Sequence, residues 1–296
     1  MSPALPLELA KRAVRQKITD VFNDASKGER PVLRRADALF PPDSVAWKVN
    51  GGRHHDDDRR RLGPVAADAP PCGFWPASGT IPISAPTCTG GSGGTAKFIA
   101  TTTYDHAEAG QAAIDRVNRI HAKLRGVLPD GTPYRVSDPE LLAWVHVTET
   151  ISFLDAWIRY AEPRMSLARQ DAYFAETARI GEALHAHPVP RTRAEAEALI
   201  QSFRPKLRAD ARTHEVAALV MRQTVGMPAV DLAAGVIMQA GMDLLPDWAR
   251  AMHRQPRGLP GTLVRSGALT NRALSCAGPS TVRPTGRSTR TIVTRY

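Results

Sequence analysis

The chain has 296 residues, 43% of them apolar, enough for one large or two small cored domains. Its net charge is +10, but seven arginines and no acid lie in 257–296, so the remaining residues carry only +3. Three scattered cysteines without CxxC spacing exclude a disulfide framework and a thiolate zinc site, and the basic end without interleaved aromatics argues against nucleic acid as a partner.

The N-terminus, MSPALPLELAKRAVRQK, lacks the apolar core of a signal peptide, and the most apolar stretch, Ala229 to Leu245, carries Asp231 and Asp243. A soluble cytoplasmic protein is expected, with peripheral membrane contact left open. Leu7 to Phe22 places Leu9, Ala13, Ile18 and Phe22 roughly on one side of a short helix, part of an N-terminal lead-in over 1–34. Leu33 to Asn50 reads as extended, with a turn at Phe40-Pro41-Pro42.

Residues 52–94 break the pattern. GRHHDDDRRR opens the segment, and Pro, Gly, Ser and Thr dominate from Ala66 to Gly94. Composition predicts a disordered stretch, because it buries too little apolar surface to offset its ordering entropy. A structureless insertion this long is uncommon inside a compact domain. A shifted reading frame explains it better. Back-translated with GC-rich codons, the frame starting at the second base from Gly52 permits VVTTTTTGGVSALLLQMLHPAA. After a further slip near Phe74 and Trp75, the third-base frame permits AGVWDHSDFRADMHGRLRR, which runs into Thr95. Three slips of one sign restore the phase. In the second half two of three bases per codon are fixed by the written protein, which makes chance agreement hard. The nucleotide sequence across codons 50–96 decides the matter.

Beyond the anomaly the elements are helical. Ala96 to Thr103 completes a helix. Ala107 to Arg125 is a strong one, with Ile114, Val117, His121 and Leu124 at helical spacing and Gly126 as a stop. Pro129-Asp130-Gly131 marks a turn. Ser137-Asp138-Pro139-Glu140 is a helix start, with Ser137 read as the cap, and the helix it opens runs to about Tyr160. That helix is apolar nearly all round and therefore central. Helices follow over Ser166–His185, Thr192–Arg204, His214–Thr224 and Ala229–Leu245, and disorder is expected from Pro256. No period-2 alternation and no repeat appears. The fold class is all-α, a single multi-helix domain over 35–250 with a disordered basic tail over 251–296.

Histidine is the ligand type of interest. His121 lies on an apolar helix face and His146 within the central helix, in WVHVTET. Each alone reads as a core residue; two on consecutive helices of an all-α chain favour a haem or metal site more than one would, and the residues alone leave both that reading and a structural role open. Glu149 stands one turn beyond His146, placed to orient an imidazole or to act as acid or base, and equally readable as a satisfied buried polar residue. Asp105, His106 and Glu108 lack metal-ligand spacing, His185 and His187 look exposed, and GGSGG at 90–94 lacks the Lys-Ser/Thr of a phosphate loop.

TAKFIATTTY, AAIDRVNRIHAKLRG and PYRVSDPELLAWVHVTETISFLDAWIRYAEP together resemble the MpaB-type and rubber-oxygenase (latex-clearing protein) catalytic domain family, and PPDSVAWKVNG is similar to its upstream segment. SDPELLAWVH is the most specific block. The reframed text adds LHP, WDHS and RLRRT, which the family would also have. The resemblance implies an all-helical oxygenase that uses haem b and O2 to oxidise or cleave an apolar, isoprenoid-like substrate. It implies His121 as axial ligand to the haem iron, Thr95 at the end of RLRRT lining the pocket, and His146 as a further cofactor-binding residue. The arginines expected just before Thr95 are not in the written chain, which leaves the haem propionates without their cationic partners. The competing readings are a non-enzymatic helical protein binding an apolar ligand or partner helix, and a basic nucleic-acid accessory.

Overall fold

The computed structural model describes residues 32–51, 85–128, 131–221 and 240–254. In chain order these hold α1 (Val45–Gly51), α2 (Ala85–Tyr104), α3 (Ala107–His121), a hairpin of β1 (Arg125–Val127) and β2 (Pro133–Arg135), α4 (Pro139–Tyr160), α5 (Leu167–Ala183), α6 (Arg193–Phe203), a 3-10 turn (Arg204–Lys206), α7 (Ala211–Met221), a helical stretch at 240–244, and α8 (Asp247–Met252). The architecture is helical, as the sequence predicts. The expected N-terminal helix over 7–22, most of 52–94 and the basic end from 255 lie outside the described residues.

The central position of α4 follows from its composition. Leu142, Ala143, Trp144, Val147, Ile151 and Leu154 are all buried, and the helix packs against α1, α5 and α6. Trp144 meets Phe203 of α6 at 5.1 Å between ring centroids. Arg193 of α6 pairs with Asp155, so the same two helices are also tied by charge. The helix start is one residue later than the sequence indicates: Asp138, not Ser137, is the cap, its Oδ1 accepting from Glu140 N–H at 2.9 Å and Leu141 N–H at 3.1 Å. A carboxylate there also complements the helix dipole. Ser166 and Thr192 cap α5 and α6 in the same manner.

Three further expectations need correction. The lead-in is not extended throughout, because 45–51 forms α1. Ser44 Oγ accepts from Trp47 N–H, and the Glu176 carboxylate of α5 takes the N–H groups of Val45 at 3.1 Å and Ala46 at 2.7 Å, so tertiary contacts satisfy this short helix's free donors. Within the segment read as disordered, 85–94 is helical and forms the first half of α2. Glycine costs about 1 kcal/mol per residue in a helix, so GGSGG is helical against its own preference. The helix is sustained from its other end, where Thr102, Thr103 and Tyr104 are buried, since propagation is cheap once a turn exists. Finally, α3 stops at His121, and the chain turns through 122–124 into a two-stranded hairpin. Gly126 lies inside β1, where the Tyr134 ring covers it so closely that a Cβ would fall 2.6 Å from the Tyr134 oxygen. Strands of three residues leave too short an alternation to read from sequence.

The main core gathers Phe40, Trp47, Tyr104, Trp144, Leu154, Phe174 and Phe203 among others. Trp47 and Tyr104 meet edge-to-face at 4.9 Å, with the Arg34 guanidinium over both rings.

Candidate functional site

The residues singled out from sequence stand on three helices. Thr95 is exposed in the middle of α2. His121 closes α3, half-buried, and His146 lies in α4 at 8% exposure. Asn118, one turn before His121, donates from Nδ2 to Ala183 O at 2.9 Å, and the His146 ring packs against Gly181. The two histidine-bearing helices therefore meet the same C-terminal end of α5. Among the described residues no hydrogen bond joins the two imidazoles.

His121 Nδ1 is buried and has no hydrogen-bond partner among the described residues. A buried imidazole nitrogen ordinarily finds one, so this atom is either a cost to the fold or waits for something to bind. Burial also lowers the His121 pKa, which keeps the ring neutral and its lone pair available. His146 is held neutral more strongly, its pKa pushed down to about 4 by burial. A Cβ on Gly181 would lie 2.8 Å from His146 Cδ2 and 2.9 Å from Nε2, so that edge of the ring is turned against α5. Gly181→Ala should lose about 1 kcal/mol net. The methyl favours the helix by about 1 kcal/mol, while overpacking costs about 1–3. A lower urea midpoint together with a shifted His146 ring resonance is the expected result.

Glu149 is the second orphan. Its Oε1 is buried without a partner among the described residues, and burial raises its pKa from 4.5 to about 7. At neutral pH the carboxyl is therefore divided between acid and carboxylate, the condition suited to giving or taking a proton. Its charge bears on the Tyr173 hydroxyl, whose own pKa is raised first by burial and then by Glu149. Tyr173 OH donates to Asn50 Oδ1 at 3.3 Å, and Asn50 Nδ2 donates to Thr103 Oγ1 at 3.1 Å. This chain of polar groups links α5, α1 and α2 inside the core. Sequence reading missed it, because Tyr173 fits an apolar helix face and Asn50 and Thr103 carry no motif.

Other sequence candidates have structural uses. His106 Nδ1 accepts from Ala109 N–H and caps α3, while Asp105 accepts from His106 N–H and pairs with Arg35. His185 and His187 are exposed, as expected. A cavity of about 390 Å³ beside Phe40, Ser44 and Arg179 touches none of Thr95, His121, His146 or Glu149, and its Glu176 is committed to the start of α1. Among the described residues no three His, Cys, Asp or Glu side chains cluster to hold a bare metal ion. A haem needs no such cluster and would be held by a single side chain, for which a neutral histidine is suited. His121, kept neutral by burial and with its Nδ1 unpaired among the described residues, fits that requirement. No helix among the described residues is long and apolar enough to cross a membrane.

No curated relative and no solved structure matches the chain. Residues 93–273, more than half of the sequence, match the family described as "ER-bound oxygenase mpaB/B'/Rubber oxygenase, catalytic domain". The match begins where the anomalous segment ends and contains every residue discussed above from α3 to α5. The chain belongs to the MpaB/rubber oxygenase catalytic domain family.

Proposed function

We propose that this protein is a haem-dependent oxygenase acting with O2 on an apolar, isoprenoid-like substrate. The observation that carries the reading is the buried Nδ1 of His121, without a hydrogen-bond partner among the described residues, inside a span that matches an oxygenase catalytic domain. His121 would hold the haem iron. Thr95 and His146 line the cofactor pocket. With its Cδ2–Nε2 edge against Gly181, His146 serves as a fixed neutral wall, not a second ligand.

Haem b, when bound, supplies the oxidising chemistry on O2. The chain supplies the rest. Burial keeps both imidazoles uncharged at neutral pH. Glu149 holds a proton near neutrality and exchanges it at Oε1, the atom left without a partner. Tyr173, fixed through Asn50 and Thr103, keeps the neighbouring polar positions occupied. The apolar side chains of α4 exclude water, which strengthens each of these electrostatic effects.

The written residues before Thr95 are Gly90 to Gly94 and offer the haem propionates no cation. Two proteins therefore make the test: the chain as written, and the chain with 52–94 replaced by the reframed residues. Haemin titration should give a saturable Soret band in the restored chain, with weaker uptake in the written one, and O2 consumption when an isoprenoid is added. A restored chain that folds but develops no Soret band overturns the proposal.

A further inference from the structure

Three of the six exposed large hydrophobics among the described residues lie at the end of α3 and in the turn and hairpin that follow it. Ile120, Leu124 and Val127 are aliphatic and exposed, by 45%, 47% and 64%. Arg116, Arg119, Lys123, Arg125 and Arg135 are exposed in the same stretch of chain. None of these five forms an ion pair with a described residue. Among the described residues, acids near this surface are otherwise engaged: Asp115 accepts from Gln111, Asp138 caps α4, and Glu140 pairs with Lys206.

The hairpin register sharpens the point. Arg125 stands directly opposite Arg135, and Val127 opposite Pro133. Directly paired residues share a face, and so do residues two apart along a strand. Arg125, Val127, Pro133 and Arg135 therefore make one face, and all four are exposed. Gly126 and Tyr134 make the other, half-buried one. Like charges directly across a ladder destabilise it. Here the repulsion sits on the solvent side, in a hairpin anchored by the buried Leu128.

We infer that this face docks onto an anionic lipid bilayer, with the guanidinium and ammonium groups on the headgroups and Ile120, Leu124 and Val127 entering the acyl boundary. A bilayer answers both halves of the surface at once. Negative headgroups relieve the Arg125–Arg135 repulsion, and the interface takes up aliphatic side chains that a soluble polyanion leaves in water. A nucleic acid would call for stacking rings, and the hairpin's aromatic residue, Tyr134, lies on the opposite face. Resting on the oxygenase reading, the docked orientation sets His121, which lies between Ile120 and Leu124, beside the compartment where an apolar substrate dissolves.

The test uses full-length protein and sedimentation with vesicles of phosphatidylcholine alone or containing phosphatidylglycerol, read without haem so that its outcome is separate from that of the oxygenase proposal. Wild type should bind the anionic vesicles, lose binding as salt rises, and bind neutral ones weakly. Arg125→Gln with Arg135→Gln should cut partitioning roughly 25-fold, about fivefold per basic residue removed from an anionic surface, and should flatten the salt dependence. Leu124→Ser with Val127→Ser should cut it about tenfold or more and leave the salt slope unchanged. All four positions are exposed, and the charge pair keeps the test decisive should the apolar pair fold poorly. Equal binding by wild type and both variants would assign vesicle association to the Arg-rich end at 257–296 and overturn the inference. Full displacement of wild type from vesicles by duplex RNA, with RNA affinity falling in the Arg125/Arg135 variant, would also overturn it.

Discussion

His121→Ala is expected to abolish haem uptake by the restored chain while leaving its fold intact. The two halves of that result have separate causes. Loss of an axial imidazole should weaken binding by more than about 100-fold, because even outer-shell partners of metal-bound histidines are worth about 10–100-fold. The Soret band should fall to that of free haemin, and added imidazole should recover part of it by filling the vacated position. Stability should change by no more than about 1 kcal/mol. His121 is half-buried, its Nδ1 makes no hydrogen bond, and removing an unsatisfied polar atom offsets the packing lost with the ring. His146→Ala provides the contrast. That ring is buried against Gly181, so its removal opens a void in the core and costs far more stability. A His121→Ala protein that binds haem as wild type does would remove His121 from the site.

The helices were legible because their start signals are local. Ser166 and Thr192 sit where the pattern puts them, and α4 ends at Tyr160 as its apolar residues require. What escaped detection depends on residues far apart in sequence. The short α1 is helical because Glu176, some 130 positions away, occupies its first N–H groups. The Asn50–Thr103–Tyr173 chain joins three helices, and none of its members is unusual where it stands. Leu124 continues the spacing of Ile114 and Val117, yet it falls beyond the end of α3 and is exposed. Periodicity reports which face a side chain would occupy, but not whether the helix continues far enough to place it there. Histidine and glutamate at 146 and 149 were visible as a pair on one side of α4. Their burial was legible from the apolar surroundings of α4, but the close contact of Gly181 with the His146 ring and the lack of a partner for Glu149 Oε1 among the described residues were not, because both depend on other helices. Helix at 85–94 is the sharpest case: composition argues against it, and the continuation of α2 from its packed C-terminal half supplies it.

That burial has a measurable consequence in the haem-free protein. Glu149 has a folded pKa of about 7 against 4.5 unfolded, so its contribution to stability is complete below pH 4.5 and is lost as pH rises through 7. At 1.36 kcal/mol per pH unit of displacement, the loss totals about 3 kcal/mol. His146 works in the opposite direction. Its folded pKa of about 4 lies below 6.5, so its contribution is complete above pH 6.5 and is lost as pH falls through 4, again by about 3 kcal/mol. Between pH 4.5 and 6.5 the two slopes cancel, and wild-type stability should be nearly flat with respect to this pair. Single substitutions should expose each slope. Glu149→Gln keeps the shape and removes the titration, so its urea midpoint should climb from pH 4 to 6.5 by an amount equivalent to about 3 kcal/mol. His121, whose pKa burial also lowers, adds to that climb. His146→Asn should show the reverse, a fall from pH 4.5 to 7, to which Asp155 adds because burial raises its carboxyl despite Arg193. Opposite slopes from two residues one turn apart would establish that both sit uncharged in the same dry interior. A Glu149→Gln profile parallel to wild type would mean instead that the carboxyl is solvated, and its role as a proton holder would fall with it.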